Sequence, residues 1–300
     1  MTNESNEVIS SLRGSRRPAM GWFPPHMHRA FKRLGKEIKN VDLVIEVRDA
    51  RLPISSSNPE LVALLEGKPR LILLNKEDLI PEEMKKEWKS YFANLSVTSL
   101  YMDAQHSKNF DAVFNLVEKL LQPFYKKHSK RGMRPPLARI LIAGLPNVGK
   151  STLINRLIQK KRQPTAPRPG VTKNVDWITL RDKYLLLDSP GLLLPKLERE
   201  EEIFKLGWIG TIPDSTFGEL DLATEFVEYL QNMAPSILPD RFEITLVPKE
   251  PAIDLINRIG IKRGLLQKGG DVDLARVAVT ILKDYRSGNL GRFALEDLPR

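Results

Sequence analysis

A glycine-containing segment between a short apolar run and a helical pattern constrains this chain more than any other feature. The segment reads Gly144-Leu145-Pro146-Asn147-Val148-Gly149-Lys150-Ser151, and its Gly-x4-Gly-Lys-Ser spacing predicts a strand, a loop and a helix in that order. The two glycines permit backbone angles that leave successive N–H groups pointing into the loop, and the helix adds its positive N-terminal end. The segment therefore predicts a phosphate-binding loop.

The residues of this loop have separate predicted roles. Lys150 is expected to reach the β- and γ-phosphates of a nucleotide, and the Ser151 hydroxyl is expected to ligate Mg²⁺. The predicted phosphate-binding residues are Gly144, Asn147, Val148, Gly149, Lys150, Ser151 and Thr152. A chance match inside another strand-to-helix turn is the alternative, with odds on the order of one in a hundred for a chain of this length and average composition.

A second box indicates which base is bound. The apolar run 70–74 predicts a buried strand, and it leads into Asn75-Lys76-Glu77-Asp78. A carboxylate at the last position can accept hydrogen bonds from N1–H and the amine of guanine, whereas adenine offers no such donor pair. The same tetrapeptide also occurs as an ordinary polar turn. Its place after a strand, in a chain with a phosphate loop, favours guanine binding by Asn75, Lys76 and Asp78.

A third segment supplies the parts of a nucleotide-dependent switch. The strand pattern 184–187 ends at Asp188, which is placed to hold Mg²⁺ through water, and the Gly191 N–H is predicted to sense the γ-phosphate. Thr172 lies between the phosphate loop and this strand, and it is the candidate threonine that closes on Mg²⁺ when a triphosphate is bound. The predicted Mg²⁺ site therefore consists of Ser151, Thr172 and Asp188.

The order of these boxes is unusual, because the guanine box precedes the phosphate loop whereas an ordinary small GTPase has the reverse order. This order resembles that of the circularly permuted GTPases. Further motifs are similar to those of the YlqF/RbgA family of ribosome-assembly GTPases, and the resemblance covers nearly the whole chain from Trp22 onward. These motifs are Trp22-Phe23-Pro24-Pro25-His26-Met27, Asp49-Ala50-Arg51-Leu52-Pro53, Ser57-Asn58-Pro59 and Lys205-Leu206-Gly207-Trp208-Ile209-Gly210-Thr211.

The patterns and the resemblance together imply a fold and a division into domains. Alternating β and α patterns predict a mostly parallel, doubly wound α/β sheet with helices on both faces. We expect an N-terminal tail and a basic amphipathic helix at 1–40, a circularly permuted P-loop GTPase domain at 41–198, and a C-terminal helical domain that contacts RNA or the ribosome at 199–300. Within the GTPase domain, residues 123–136 are expected to form a basic linker.

Two further site residues follow from the resemblance. Ala104 fits the loop that supports guanine through a backbone amide, although the family more often has serine in place of Asp103. His26 corresponds to the histidine that is the proposed catalytic residue of the family. The residue after Gly191 is Leu192, which can neither donate nor accept a hydrogen bond, so another group must polarise the attacking water. A lone histidine near a helix start is otherwise a cap or surface group, and Pro25, where the family has glycine, stiffens the approach to His26.

Asn147 has two open readings. An asparagine in the phosphate loop often accompanies K⁺ binding in GTPases that have an apolar residue at the position of Leu192, and a monovalent cation there would offset developing charge as an arginine finger does. The alternative is that Asn147 only caps the turn. The expected cofactors are therefore Mg²⁺ and, under the first reading, K⁺.

Composition narrows the class of partner. The net charge of +10 indicates a polyanionic partner, which charge alone does not assign to RNA or to an anionic membrane. The chain has no cysteine, which excludes disulfides and thiolate metal sites, and no apolar run approaches the length of a membrane span. We expect a monomer in the cytoplasm, with the mitochondrial matrix as the alternative.

The resemblance implies a GTP-binding and GTP-hydrolysing switch in late assembly of the large ribosomal subunit. Its expected partners are GTP or GDP and the large-subunit precursor, with hydrolysis stimulated by the ribosomal particle. The alternative is a GTP-gated RNA-binding module, for tRNA or rRNA, whose hydrolysis is incidental.

Overall fold

Six strands form a single sheet in the part of the chain that the structure describes. The computed structural model describes residues 37–108, 110–130, 132–159, 177–188 and 199–299. The strands are β1 (Leu43–Asp49), β2 (Arg70–Asn75), β3 (Thr98–Met102), β4 (Ala138–Ala143), β5 (Trp177–Leu180) and β6 (Tyr184–Asp188). Their order across the sheet is β3-β2-β1-β4-β6-β5.

The sheet is parallel except at one edge. Strand β1 pairs in parallel with β2 and β4, β2 pairs with β3, and β4 pairs with β6, whereas β5 runs antiparallel to β6. Every residue of β1 is buried, as are all residues of β2 after Arg70. Continuous burial of this kind occurs where helices cover both faces of a parallel sheet. The predicted mostly parallel α/β fold is therefore confirmed.

The parallel strands bring several loops to one edge of the sheet. Strands β1, β2, β3, β4 and β6 all run in the same direction, so their carboxyl ends lie together. The guanine box follows β2, the phosphate loop follows β4, and Asp188 ends β6. Ligands of open α/β sheets bind at this edge.

The helices of the sheet unit follow the strands in alternation. They are α1 (Pro59–Leu64), α2 (Glu82–Asn94), α3 (Asp111–Leu120), α4 (Gln122–Ser129) and α5 (Lys150–Gln159). Helix α4 corrects the prediction of a linker at 123–136. Pro123 lies at the start of α4, where a proline has no helical N–H to lose, so it begins the helix rather than breaking it.

Residues 199–291 form a second compact unit that is entirely helical in its regular structure. Its helices are α6 (Glu200–Trp208), α7 (Glu219–Met233), α8 (Ile237–Phe242), α9 (Ala252–Arg263) and α10 (Leu274–Arg286). Its core contains packed aromatic rings: the Trp208 ring lies 5.2 Å from Phe226, which lies 4.8 Å from Tyr285. No helix in the described residues combines the length and the apolar composition needed to cross a membrane.

The last described residues return to the sheet unit. Residues 292–299 group with 37–188, whereas the sequence placed all of 199–300 in the helical domain. Leu295 is buried, and its N–H donates to the Arg51 carbonyl at 3.0 Å. The Glu296 carboxylate accepts from the N–H groups of Ile54 (2.8 Å) and Ser55 (2.7 Å) and from the Ser55 hydroxyl.

Candidate nucleotide-binding site

The phosphate loop requires glycine at both of its predicted glycine positions. Gly144 has a φ of 149°, and a Cβ there would lie 2.2 Å from the Val47 carbonyl oxygen of β1. Gly149 has a φ of 103°, and a Cβ there would lie 2.1 Å from Nδ2 of Asn75. Both glycines thus allow the turn of the loop. They also allow the loop to pack closely against the β1 backbone and the Asn75 side chain.

Lys150 occupies the interior of this loop. It is the first residue of α5, it is buried, and its Nζ donates to the Leu145 carbonyl at 2.7 Å. A phosphate in the loop would offer the ammonium a charged acceptor in place of this neutral one, and charge-assisted hydrogen bonds are the stronger kind. The position of Lys150 is therefore suited to the predicted role.

The first turn of α5 supplies the remaining polar groups of the loop. Ser151 and Thr152 are exposed, so their hydroxyls are accessible. Backbone N–H groups in the first turn of a helix have no partner within the helix, and the helix dipole adds positive potential there. Asn147 adopts the left-handed conformation at φ 59°, and Val148 is buried under the loop.

Asn75 joins three loops of the site. Its Nδ2 donates to the Val148 carbonyl at 2.8 Å, and its Oδ1 accepts from the Ala104 N–H at 2.9 Å. Asn75 is buried at the end of β2, so both halves of its amide are used within the protein. The phosphate loop, the guanine box and the loop after β3 are thereby held together. Because the Ala104 N–H donates to Asn75, its predicted contact with guanine stays a prediction.

Three polar side chains gather at the guanine end of the site. Asp78 lies in a short 3-10 turn at 77–79, and one carboxylate oxygen of Asp78, one of Asp103 and a ring nitrogen of His106 all lie within 4.8 Å of one another. Asp103 accepts from the N–H groups of Gln105 (2.8 Å) and His106 (3.0 Å), and its other oxygen lies 2.7 Å from His106 Nδ1. Asp103, which stands where the family more often has serine, thus holds its own loop in place. His106 is a residue near this end of the site that the sequence motifs do not indicate.

Asp49 links the guanine box to the end of β1. Its carboxylate accepts from Arg51 Nε and Nη2, both at 2.9 Å, and it pairs with Lys76 Nζ at 2.9 Å. Burial raises the pKa of Asp49, but the positive charges of Arg51 and Lys76 outweigh that effect and hold the pKa well below its usual range. The sequence alone indicates for the motif Asp49-Ala50-Arg51-Leu52-Pro53 a resemblance to the family and no site role. The signal that could have indicated a site role is a pair of opposite charges, Asp49 and Arg51, at the end of a buried strand.

Asp188 lies beside the strand that enters the phosphate loop. It pairs in register with Ile142 of β4, two residues before Gly144. The role of Asp188 as a Mg²⁺ ligand stays a prediction. The other predicted residues, His26, Thr172 and Gly191, lie outside the described residues, as does Leu192.

Comparison with known proteins gives matches along nearly the whole chain. The family model described as 50S ribosome-binding GTPase matches residues 139–214. Ribosome biogenesis GTPase A of Priestia megaterium is 37% identical over 277 residues, which are 92% of this chain and 96% of that protein. Mitochondrial ribosome-associated GTPase 1 of Mus musculus is 34% identical over 299 residues, covering 92% of this chain and 89% of that protein.

A solved structure is similar to this chain over most of its length. The crystal structure of GNP-bound YlqF from T. maritima matches with a TM-score of 0.60 and 26% sequence identity, over 89% of this chain and 97% of that one. The sheet order, with the guanine box ahead of the phosphate loop in the chain, agrees with the predicted circular permutation. With relatives of this identity over nearly its whole length, the chain belongs to the ribosome biogenesis GTPase A family of circularly permuted GTPases.

Proposed function

We propose that this protein binds and hydrolyses GTP as a switch in late assembly of the large ribosomal subunit. The observation that carries the proposal is the Asn75 amide, which joins the phosphate loop at Val148 to the guanine-end loop at Ala104. One site therefore has the parts to bind both ends of a guanine nucleotide. The names of the relatives, ribosome biogenesis GTPase A and mitochondrial ribosome-associated GTPase 1, support the assembly role.

The phosphates bind in the loop 144–152. Lys150 contacts the β- and γ-phosphates, and the N–H groups of the loop and of the first turn of α5 donate to phosphate oxygens. The buried position of Lys150 supports this assignment, because the attraction between its ammonium and the phosphates is stronger where water is scarce. The Gly191 N–H is proposed as a further hydrogen-bond donor, to the γ-phosphate.

Guanine binds at the end formed by 75–78 and 103–106. The Asp78 carboxylate accepts from N1–H and the 2-amine, Lys76 lies along the base, and Asn75 holds the surrounding loops. Adenine would leave the Asp78 carboxylate facing an acceptor, and a site that hydrogen-bonds the N–H groups of one base rejects an analogue that lacks them.

The donor set fits Mg²⁺. The hydroxyls of Ser151 and Thr172 and the carboxylate of Asp188 are oxygen ligands, which Mg²⁺ prefers. When bound, the ion would neutralise charge on the β- and γ-phosphates. Asn147 is also proposed as a ligand of K⁺ beside the phosphates. Its left-handed backbone, at φ 59°, fits the alternative role, in which Asn147 only caps the turn.

Hydrolysis requires that water be directed at the γ-phosphate, and His26 is proposed for that task. A histidine can accept a proton or a hydrogen bond from water, which Leu192 cannot do. Release of the γ-phosphate would free the segment after Asp188, and the chain continues from there into the helical unit. The intrinsic rate is expected to be slow because neither a glutamine nor an arginine finger is evident in the sequence.

The net charge of +10 supports a ribosomal partner, since cationic surfaces bind phosphate backbones by counterion release. We propose that the protein acts as a monomer. Its compartment follows the ribosome that it serves, which is the bacterial cytoplasm or the mitochondrial matrix.

The test is GTP hydrolysis in K⁺ buffer with purified large subunits, small subunits or tRNA added. Stimulation by the large subunit alone supports the assembly switch, whereas stimulation by tRNA or by none of them contradicts it. His26→Ala should abolish the stimulated rate, and His128→Ala, which changes a histidine on α4, should leave it unchanged. Subunits that mature normally with His26→Ala would favour the alternative, a GTP-gated RNA-binding module with incidental hydrolysis.

A further inference from the structure

Asp49 and Arg51 form a buried ion pair at the carboxyl end of β1. Both side chains are 0% exposed, and the pair is bidentate, with Arg51 Nε on one carboxylate oxygen and Nη2 on the other. The Arg51 N–H also donates to Asp49 at 3.1 Å. Buried pairs of this kind seldom add stability over apolar residues of the same size, because both charges must leave water. The pair therefore calls for a reason other than stability.

Lys76 supplies that reason. Its Nζ lies 2.9 Å from the same Asp49 carboxylate, although the Lys76 side chain is 26% exposed and could be solvated instead. The Lys76 backbone adopts the left-handed conformation at φ 62°, which is strained for a residue with a side chain. Residues persist in this conformation where their surroundings hold them, and such positions cluster at ligand sites.

The held turn leads directly to the base-recognition carboxylate. Lys76 precedes the 3-10 turn at 77–79, which carries Asp78. A change in the Lys76 backbone would therefore move Asp78 as well as the lysine itself. The Arg51 backbone is also held, because its carbonyl accepts from the N–H of the buried Leu295. Asp49 thus connects a rigid anchor to the guanine box.

We propose that Asp49 is a positioning residue for guanine recognition, holding Lys76 and its left-handed turn so that Asp78 meets the base. The role rests on the proposed function, because it concerns the guanine end of the same site. Asp49 itself is buried behind Lys76 and acts through it.

The test compares the affinities of GTP and ITP, since inosine lacks the 2-amine of guanine that Asp78 is proposed to bind. Asp49→Asn should weaken GTP binding about 10- to 100-fold, as expected when a recognition group is displaced by a fraction of an ångström to an ångström. ITP should be weakened less, so the ratio of the two affinities should fall. A loss of stability alone would leave that ratio unchanged in protein that is still folded.

Asp49→Asn alone removes the carboxylate that pairs with the buried Arg51 charge, which endangers folding. The double variant Asp49→Asn/Arg51→Met removes both charges and still deprives Lys76 of its anion, and it should show the same fall in the ratio. The matched control is Glu46→Gln/Arg48→Met, because Glu46 and Arg48 form a similar buried pair on β1. That control should keep the ratio of the wild-type protein.

A double-mutant cycle with Lys76→Met tests the route. If Asp49 acts through Lys76, adding the Asp49 change to Lys76→Met should cause little further loss, whereas additive losses would overturn the proposal. An unchanged ratio in both Asp49 variants would also overturn it. A wild-type protein that binds GTP no better than ATP would overturn the proposed function instead, so the two failures are distinguishable.

Discussion

The sheet unit and the helical unit use charged side chains in different ways. In the described part of the sheet unit, Glu46, Arg48, Asp49, Arg51 and Lys150 are buried, whereas Asp284 is the buried charged residue of the described helical unit. The ion pairs described in the helical unit keep at least one partner partly exposed. Both partners are partly exposed in the pair of Arg286 and Asp214, and Arg258 is partly exposed in its pair with Glu250.

This difference indicates different purposes. Ion pairs at the surface of helices contribute little stability and mainly fix how helices meet. Arg286 shows this role, because it binds Asp214 through both Nη atoms and also donates to the carbonyls of Gly207 and Trp208. Three of the buried charges of the sheet unit that the structure describes, Asp49, Arg51 and Lys150, lie at the ends of β1 and of the phosphate loop, where the nucleotide is proposed to bind. Burial of charge at the carboxyl ends of the strands therefore coincides with the proposed site, whereas the equally buried pair of Glu46 and Arg48 lies within β1.

The largest expected contrast concerns stability. Arg48→Ala should lower the free energy of unfolding by about 3 kcal/mol, because the buried Glu46 loses its bidentate partner and keeps the longer contact with Arg70 at 3.4 Å and the Ser57 hydroxyl. Glu201→Ala, which removes an exposed partner of Lys205 on α6, should cost at most about 0.5 kcal/mol. Urea unfolding of the two variants measures the contrast. Equal losses would contradict the distinction between the units.

Catalysis should depend on the buried lysine of the sheet unit. Lys150→Ala should lower the rate of GTP hydrolysis at saturating GTP about 10²- to 10³-fold, as loss of one preorganised donor to developing charge does. Lys283→Ala changes an exposed lysine on α10 and should leave the rate as it is in the wild-type protein. The comparison would break if both lysines affected the rate equally.

Two tightly packed glycines sharpen the comparison further. Gly149→Ala would place a Cβ against Asn75 and should weaken GTP binding about tenfold by disturbing one hydrogen-bonded joint. Gly260→Ala would place a Cβ 2.2 Å from Cγ1 of Val272 in the helical unit, and it should lower stability by about 1–3 kcal/mol without changing GTP affinity. Nucleotide titration and thermal unfolding of both variants separate these effects, and a weaker GTP affinity in Gly260→Ala would argue against independent roles.

The smallest expected effect is the response to acid. Because the pKa of Asp49 is lowered in the folded protein, Asp49 contributes stability above its unfolded pKa and loses that contribution as the pH falls below about 4. Only the first part of the loss falls in the measurable range, since the folded pKa lies well beneath it. Unfolding free energies at pH 7 and pH 3 should therefore decline less in Asp49→Asn/Arg51→Met than in the wild-type protein, and equal declines would contradict the assignment.

Local sequence patterns predicted much of the fold. The apolar runs before Asn75 and Gly144 are the buried strands β2 and β4. In the helical unit, apolar residues at helical spacing on α10 are likewise buried, namely Val277, Ala278, Ile281, Leu282 and Tyr285. The basic segment 123–136 was misread because its lysines and prolines resemble a linker, whereas a proline at the start of a helix is compatible with helix α4. Composition alone does not distinguish a basic linker from a basic helix.

The sequence by itself determined the fold class, the chemistry of the nucleotide boxes and their permuted order, because each depends on residues that are close in the chain. Only the tertiary structure decided what those boxes contact. Asn75 donates to Val148, which lies 73 positions away in the chain. Asp49 at the end of β1 pairs with Lys76, which follows β2, and Glu296 accepts from the N–H groups of Ile54 and Ser55. These partners are set by strand order and packing, which bring distant residues together and leave no periodic pattern in the sequence.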